Sequence, residues 1–177
     1  MNNYLDKDEY YWADRIFIFK YNAKNEYSFN LDLVRFLISE YLNSENSFEK
    51  YNRFSNSNME RDYGISVFGR VLEHIEYIKK GWFEGYIDIR IFRIIKEHKT
   101  LMLKRLDYIN KNIIDIGELV EKYKEIFYLS EQCYHLALKY KLSLDKSIPD
   151  KLIAKIFGIV EGDQAILRKL LERLEHI

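Results

Sequence analysis

Cys133 is the residue whose type best suits nucleophilic chemistry, and His135 is the nearest histidine that could act as its base. A cysteine nucleophile needs a lowered thiol pKa and a base within hydrogen-bond reach. Two residues apart on a helix means about 200° apart around its axis, so these two side chains do not face each other. Cys133 also lies on a predicted apolar stripe, which favours a buried structural thiol.

Metal and cofactor sites gain little support from residue spacing. Glu131 and His135 lie four residues apart on one predicted helix face, but two ligands do not make a metal site. The glycines are scattered, and none belongs to a phosphate-binding glycine-rich motif. We therefore expect no metal, no cofactor and no catalytic residue.

Residues 88–111 carry a local excess of positive charge. Seven basic side chains (Arg90, Arg93, Lys96, Lys99, Lys104, Arg105 and Lys111) accompany three acidic ones (Asp88, Glu97 and Asp107). The pattern favours a mixed solvated face with pairs such as Arg93–Glu97. An acidic partner such as a carrier protein is the second interpretation, and nucleic acid is the least favoured.

Composition sets the broad class of the chain. Its 177 residues are 47% hydrophobic and 32% charged, which is typical of one globular domain with a core. The 28 basic and 28 acidic residues cancel, so no overall field attracts nucleic acid or a membrane. We find no secretion signal at the first residues and no apolar run near the roughly 20 residues that span a bilayer. We expect a soluble, cytoplasmic protein.

The first 29 residues predict a small antiparallel sheet. Residues 15–21, RIFIFKY, are rich in β-branched and aromatic side chains, and a polar turn region follows them. Residues 10–12 and 27–29 could pair as flanking strands, provided that helices cover the sheet. The predicted fold class is α+β and predominantly α, with this sheet followed by about five helices.

Three helices are predicted within residues 30–112. They cover residues 30–43, with Asn30 as N-cap, residues 66–80, with Gly81 as the stop, and residues 88–110, with Asp88 as N-cap. On the third helix, His98 and Arg105 interrupt the predicted apolar face. Residues 43–62 have the composition of a long loop, which we expect to be a moving segment.

Residues 113–177 predict a long antiparallel helical hairpin. Asp115 and Glu118 have the spacing of a capping box, and Pro149 suits the first turn of the last helix. Asp163 falls on the apolar seam of that helix. Gly162 and the nearby Gly158 each cost roughly 1 kcal/mol relative to alanine, which predicts a bend or short break. The seam over 153–177 favours burial within the chain over pairing with a second copy, and the oligomeric state stays open.

Three segments resemble one bacterial protein family. They are YLNSENS at residues 41–47, YGISVF at 63–68, and DIR at 88–90 followed by EHKTLM at 97–102. Together they look like the region downstream of the catalytic half in C39-peptidase-like and butirosin-biosynthesis-protein-H-like proteins of peptide and aminoglycoside natural-product clusters. The resemblance spans about residues 15–110.

This resemblance implies an α+β fold and, in full-length relatives, a cysteine and a histidine that act on thioester-bound or peptide substrates. Carrier proteins are the partners it implies. The family's catalytic residues lie upstream of the matching segment, and this chain has no cysteine or histidine before His74, so none is carried over. The candidate binding residues are Asp88, Arg90, Glu97, His98 and Lys99.

Three functions follow from these patterns. The favoured one is a non-enzymatic accessory or interaction domain in peptide natural-product biosynthesis. The alternative is the non-catalytic half of a split papain-like cysteine peptidase or acyltransferase, with the catalytic half as partner. The third is a stand-alone enzyme that uses His98, His74 or Glu97. Neither nucleic acid nor a membrane is expected as a partner.

Overall fold

The computed structural model describes residues 29–46, 62–82 and 86–177. Within these ranges the chain forms five α-helices and one short 3-10 helix. The α-helices are α1 (Leu31–Asn43), α2 (Val67–Lys79), α3 (Ile89–Asn112), α4 (Gly117–Ser143) and α5 (Ile148–Leu174), and the 3-10 helix, Gly64–Ser66, directly precedes α2. Residues Leu31–Ile177 form one compact unit.

The predicted α+β class is wrong for the described chain. Of the described residues, 82% are helical and none lies in a strand. The helices bury their apolar faces against one another, so this core needs no sheet. The predicted strand at 15–21, its flank at 10–12 and most of the predicted loop lie outside the described residues, as do residues 27 and 28 of the second flank.

Local signals placed the helix ends well. The side chain of Asp88 accepts a hydrogen bond from the backbone N–H of Arg90, which caps α3 as predicted. Gly81 lies just after Lys80, the C-cap of α2, and has a φ of +77°, a left-handed conformation that suits glycine at a helix end. Pro149 lies in the first turn of α5. The side chain of Asp115 accepts a hydrogen bond from the backbone N–H of Gly117 at 3.1 Å. The predicted capping box would instead have used the N–H of Glu118, one residue further along.

Helices α3, α4 and α5 pack as neighbouring antiparallel helices. Near its start α3 pairs with the later part of α4, since Lys96 Nζ lies 3.0 Å from Glu131 Oε1. The start of α4 pairs with the end of α5, where Arg173 lies 2.5 Å from Glu118. Helices α1 and α2 pack on α5 as well. The predicted hairpin is therefore present, with α3 added to it.

Helix α5 runs without interruption through Gly158 and Gly162, so the predicted break does not occur. Both glycines face α4 at close range. A Cβ atom at Gly162 would lie 2.9 Å from Cγ1 and Cδ1 of Ile126, and one at Gly158 would lie 3.2 Å from Leu129. These glycines let the two helices approach each other, which explains why residues that weaken a helix occur in its middle.

No described helix combines the length and the apolar character needed to cross a membrane.

We expect alanine to have opposite effects at two helical glycines. At Gly69 in α2 a Cβ atom would meet nothing within 4 Å, so Gly69→Ala should raise the free energy of unfolding by about 0.5–1 kcal/mol through helix propensity. Gly162→Ala should lower it by about 1 kcal/mol, because buried Ile126 must move. Urea unfolding measures both values. Equal stabilisation at the two sites would contradict the close packing of α4 on α5.

Candidate functional site

Lys99 and Asp163 form an ion pair in the centre of the helical unit. Both side chains are 0% exposed, and Lys99 Nζ donates a hydrogen bond to Asp163 Oδ2. The ion pairs between other described residues lie at least partly in solvent, as the exposed fractions of Lys111 (66%) and Asp107 (44%) illustrate. Charges taken fully out of water need further polar partners.

Two tyrosines supply those partners. The Tyr123 hydroxyl donates to Asp163 Oδ1 at 2.7 Å, and the Tyr41 hydroxyl donates to Asp163 Oδ2 at 2.7 Å. Lys99 Nζ also donates to the Tyr41 hydroxyl oxygen at 3.1 Å. We call Tyr41, Lys99, Tyr123 and Asp163 the buried charge cluster. The carboxylate thus accepts hydrogen bonds from three donors.

Each member of the cluster comes from a different helix. Tyr41 lies on α1, Lys99 on α3, Tyr123 on α4 and Asp163 on α5. Lys99 belongs to a buried α3 face with three- and four-residue steps, which consists of Phe92, Ile95, Lys99, Met102, Leu106 and Ile109. The ammonium group also lies 5.0 Å from the centroid of the Phe68 ring, an attractive cation–π geometry.

Burial and the carboxylate together set the protonation of the tyrosines. Desolvation raises the pKa of Tyr41 and of Tyr123 well above the ordinary value, and the charge of Asp163 raises both further. The two phenols therefore keep their protons and remain donors. Burial lowers the pKa of Lys99, while the carboxylate of Asp163 acts in the opposite direction.

The two charged side chains of the cluster, Lys99 and Asp163, are fully buried, whereas Tyr41 is partly exposed. A lysine nucleophile must reach a substrate carbonyl, and Lys99 has no exposed surface through which to do so. The same hydrogen bonds instead join α1, α3, α4 and α5 at one point. The arrangement is that of an internal structural support.

His98 lies at the edge of the cluster. Its ring stacks on Tyr41 with the centroids 5.6 Å apart and the planes at 29°. Although part of the imidazole is open to solvent, packing desolvates it, and together with the nearby Lys99 charge this lowers the pKa of His98. Neutral imidazole is therefore the form expected at pH 7.

The remaining predicted binding residues lie on the surface of α3. Arg90 forms an ion pair with Asp88 at 2.7 Å, and the hydrogen bonds from Arg90 hold the pKa of Asp88 at about 2. Glu97 pairs with Arg93 at 2.8 Å. Lys99 is buried and His98 lies beside it. The structure therefore divides the five predicted residues between the core and the surface and does not bring them together as one site.

The buried face of α3 is rotated about the helix axis relative to the apolar face that the sequence predicts. His98 and Arg105 were expected on its apolar face, but both are exposed, and Lys99 lies on the buried face instead. Asp163 is buried on the α5 seam as predicted. A carboxylate on an apolar seam indicates that a cation is buried beside it. The buried residues one turn before and after Lys99, Ile95 and Met102, indicate that Lys99 is that cation.

Cys133 is fully buried, as its position on the apolar stripe predicted. Burial raises the pKa of the thiol to about 12, so it is protonated at neutral pH and is a poor nucleophile. His135 is exposed. Across the described ranges, no group of three or more histidine, cysteine and acidic residues is arranged to hold a metal ion.

We expect the charges of Lys99 and Asp163 to be strongly coupled in stability. Lys99→Met should lower the free energy of unfolding by about 3–5 kcal/mol, because it leaves a buried carboxylate without its cation. Lys99→Met combined with Asp163→Asn should cost about 1–3 kcal/mol less than the sum of the two single changes. Urea unfolding of all four proteins measures this coupling.

The matched control is the exposed pair of α3. Lys111→Met removes a cation from the pair with Asp107 and should change the free energy of unfolding by less than about 0.5 kcal/mol. Additive effects at Lys99 and Asp163 would contradict the ion pair seen in the core.

We also expect Tyr123 to make stability fall in alkali. Tyrosines of the unfolded chain ionise near pH 10, whereas buried Tyr123 keeps its proton to higher pH. Above about pH 10 the unfolded state has lost a proton that the folded state still binds. The free energy of unfolding then falls by up to about 1.4 kcal/mol per pH unit from this group, and below that pH the group adds no slope.

Urea unfolding between about pH 8 and pH 11 measures this slope. Tyr123→Phe should give a shallower fall than the native protein. Tyr128→Phe, which changes an exposed ring on the same helix, should follow the native protein. Identical slopes for the native protein and Tyr123→Phe would show that Tyr123 ionises as easily folded as unfolded.

Comparison with known proteins adds no relative to this picture: no family model, no curated protein and no solved structure matches the chain. The resemblance to C39-peptidase-like proteins therefore stays a prediction. The function has to be argued from the geometry of the helices.

Proposed function

We propose that this chain is a non-enzymatic interaction domain that binds an acidic protein through the outward side of α3. The observation that carries the proposal is a stripe of exposed apolar and basic side chains along that helix, in which Arg90 is paired with Asp88 while Lys104 and Arg105 form no ion pair with a described residue. We call Arg90, Ile94, Leu101, Lys104 and Arg105 the α3 outer face.

Two large apolar side chains lie at the centre of the α3 outer face. Ile94 is 64% exposed and Leu101 is 51% exposed. Their spacing of seven residues is about two helical turns, so both point to the same side. Apolar anchors at this spacing are what an amphipathic partner helix packs against. The face therefore has the pattern of a helix-binding surface.

Charge complementarity indicates the sign of the partner. The cations of Arg93 and Lys111 are matched by Glu97 and Asp107 on the same helix. Among the residues that the structure describes, neither Lys104 nor Arg105 forms an ion pair. A second copy of the same face would bring like charges together, which is unfavourable, whereas an acidic helix would be attracted.

The buried charge cluster supports a scaffold role more than a catalytic one. Lys99 and Asp163, whose charges would be the most useful in chemistry, are enclosed and attach α3 to α5. A docking helix benefits from such an attachment, because a preorganised surface loses less entropy on binding.

The C39-like resemblance supplies a context for the proposal. It implies carrier proteins as partners, and an acidic carrier protein fits the charge of the α3 outer face. The catalytic half of a split papain-like enzyme is the alternative partner. We commit to the acidic carrier protein because its charge is the property that the described surface complements.

We expect a purified acidic peptidyl carrier protein to bind and to shift backbone amide NMR signals of residues 90–105. Lys104→Glu with Arg105→Glu should weaken binding at least about tenfold, since each change reverses a charge at the contact. Affinity should fall as salt is added. Isothermal titration calorimetry measures the dissociation constant.

The matched control is Arg168→Glu with Lys169→Glu, which makes the same charge change at exposed positions of α5. It should leave the dissociation constant within about twofold of the native value. Equal weakening by both double variants would show a diffuse charge effect. Shifts confined to other helices, or no binding, would overturn the assignment of this face to a carrier protein.

A further inference from the structure

The turn between α4 and α5 exposes two leucines. Leu142, in the last turn of α4, is 88% exposed, and Leu144, the residue after the helix, is 55% exposed. Single exposed leucines are common on protein surfaces, whereas apolar surface concentrated in one place marks contacts with partners or membranes. We call residues 141–146, KLSLDK, the hairpin tip. It shares no residue with the α3 outer face, so the two surfaces can be tested separately.

Leucine at position 144 is not explained by the turn itself. Its φ of +52° is a left-handed conformation, which costs a residue with a Cβ atom more than it costs glycine. Burial offsets this cost only in part, because more than half of the side chain is exposed. Backbone strain of this kind is concentrated where a segment is used for binding or catalysis. A strained and exposed leucine therefore indicates a contact outside the chain.

The backbone of the hairpin tip is already hydrogen-bonded within the turn. The N–H of Leu144 donates to the carbonyl oxygen of Tyr140 at 2.8 Å, and the N–H of Asp145 donates to Ser143 Oγ at 3.3 Å. Just beyond the tip, the N–H of Ser147 donates to Asp145 Oδ1 at 2.9 Å. A backbone donor without a partner costs free energy when it leaves water for an apolar medium. These three donors do not oppose contact of the tip with an apolar phase.

Lysines surround the two leucines in the chain. Residues 139–151 carry four lysines and two aspartates, which is a net charge of +2. Asp145 interacts with Lys139 and Lys151, so the charges of those two lysines are compensated in part. Lys141 and Lys146, which flank the leucines, are exposed and form no ion pair with a described residue. The cations nearest in sequence to the exposed leucines are therefore open to an anionic partner.

We propose that the hairpin tip binds the surface of an anionic lipid bilayer. Leu142 and Leu144 enter the boundary between headgroups and acyl chains, while Lys141 and Lys146 stay among the anionic headgroups. The attraction is local, because the potential of a membrane surface falls off within a Debye length, so the zero net charge of the whole chain does not oppose it. The tip touches the membrane and does not cross it.

Composition favours a lipid surface over a protein as the occupant. Residues 139–151 contain no arginine, and their one aromatic ring, Tyr140, is buried. Protein interfaces are enriched in arginine and aromatic residues and depleted of lysine, whereas lysine beside an apolar side chain is typical of segments that lie on membranes. Two leucines and a few lysines give weak, reversible binding, since stable anchoring requires stronger apolar insertion.

Vesicle sedimentation of the full chain tests the proposal. The protein should bind phosphatidylcholine vesicles that contain phosphatidylserine more tightly than vesicles of phosphatidylcholine alone, and added salt should weaken this binding. In parallel, methyl NMR signals of the leucines are recorded with vesicles that carry a spin-labelled lipid. The signals of Leu142 and Leu144 should broaden more than the signal of Leu101 on α3.

Variants separate the apolar contribution from the charge contribution. Leu142→Ser with Leu144→Asn should weaken binding by about fivefold or more, and asparagine tolerates the left-handed conformation at position 144. The control Tyr128→Ser with Phe157→Ser removes two exposed rings outside the tip and should bind within about twofold of the native protein.

The charge variant is Lys141→Gln with Lys146→Gln. It should weaken binding to the anionic vesicles by about tenfold or more, because each lysine near the surface contributes to the attraction. Lys122→Gln with Lys169→Gln removes the same charge from exposed positions of α4 and α5 outside the tip and should change binding by less than about twofold. Thermal unfolding confirms that every variant is folded.

Three results would overturn the proposal. The first is no binding of the native protein to the anionic vesicles, or equal binding to both kinds of vesicle. The second is native-like binding by Leu142→Ser with Leu144→Asn, which would show that the leucines do not enter the lipid. The third is a shift of the tip signals by an acidic carrier protein without any response to vesicles, which would make the tip a protein contact. The vesicle results do not bear on the α3 outer face, which is tested with a different partner and different variants.

Discussion

The structure depends on keeping two charges, those of Lys99 and Asp163, away from water. Removing an ion pair from solvent costs several kcal/mol per ion, and the attraction within the pair offsets this only when the remaining polar atoms are satisfied. Tyr41 and Tyr123 satisfy the carboxylate. Because the four side chains come from four helices, the cost is offset only when α1, α3, α4 and α5 are all in register. Helices that pack through apolar side chains alone can shift along one another at lower cost than helices joined by this cluster.

Close packing of α4 on α5 is part of the same constraint. Gly162 precedes Asp163 directly, and its missing side chain lets Ile126 approach α5. Ile126 lies one turn beyond Tyr123 on α4, so the close approach occurs next to the hydrogen bond from Tyr123 to Asp163. A larger residue at position 162 would move α4 outward next to the point where the Tyr123 hydroxyl donates to the Asp163 carboxylate. The absence of a side chain at Gly162 is therefore explained by the close approach of α4 that the Tyr123–Asp163 hydrogen bond requires, and not by the backbone conformation of α5.

Local features of the sequence were sufficient for the helices and insufficient for the cluster. Asp88, Gly81 and Pro149 act within one turn of their own positions, so helix ends could be predicted from them. Asp163 could be placed on an apolar seam for the same reason. Its partner Lys99 is 64 residues away, and no local pattern encodes that distance. A lysine ordinarily faces solvent, so its residue type alone would place Lys99 on the outside of α3, although Ile95 and Met102, one turn to either side, are buried.

Net charge proved a poor guide to the surfaces of this protein. A formal charge of zero removes only the long-range field, and at physiological salt that field is screened beyond about 8 Å in any case. A partner that touches the surface responds to the charges within that distance. Arg93, Lys96 and Lys111 each form an ion pair with an acidic side chain, and Lys99 is buried in its pair with Asp163. Lys104 and Arg105 of the α3 outer face form no ion pair with a described residue, so an electrically neutral chain can still present a local surface that attracts anions.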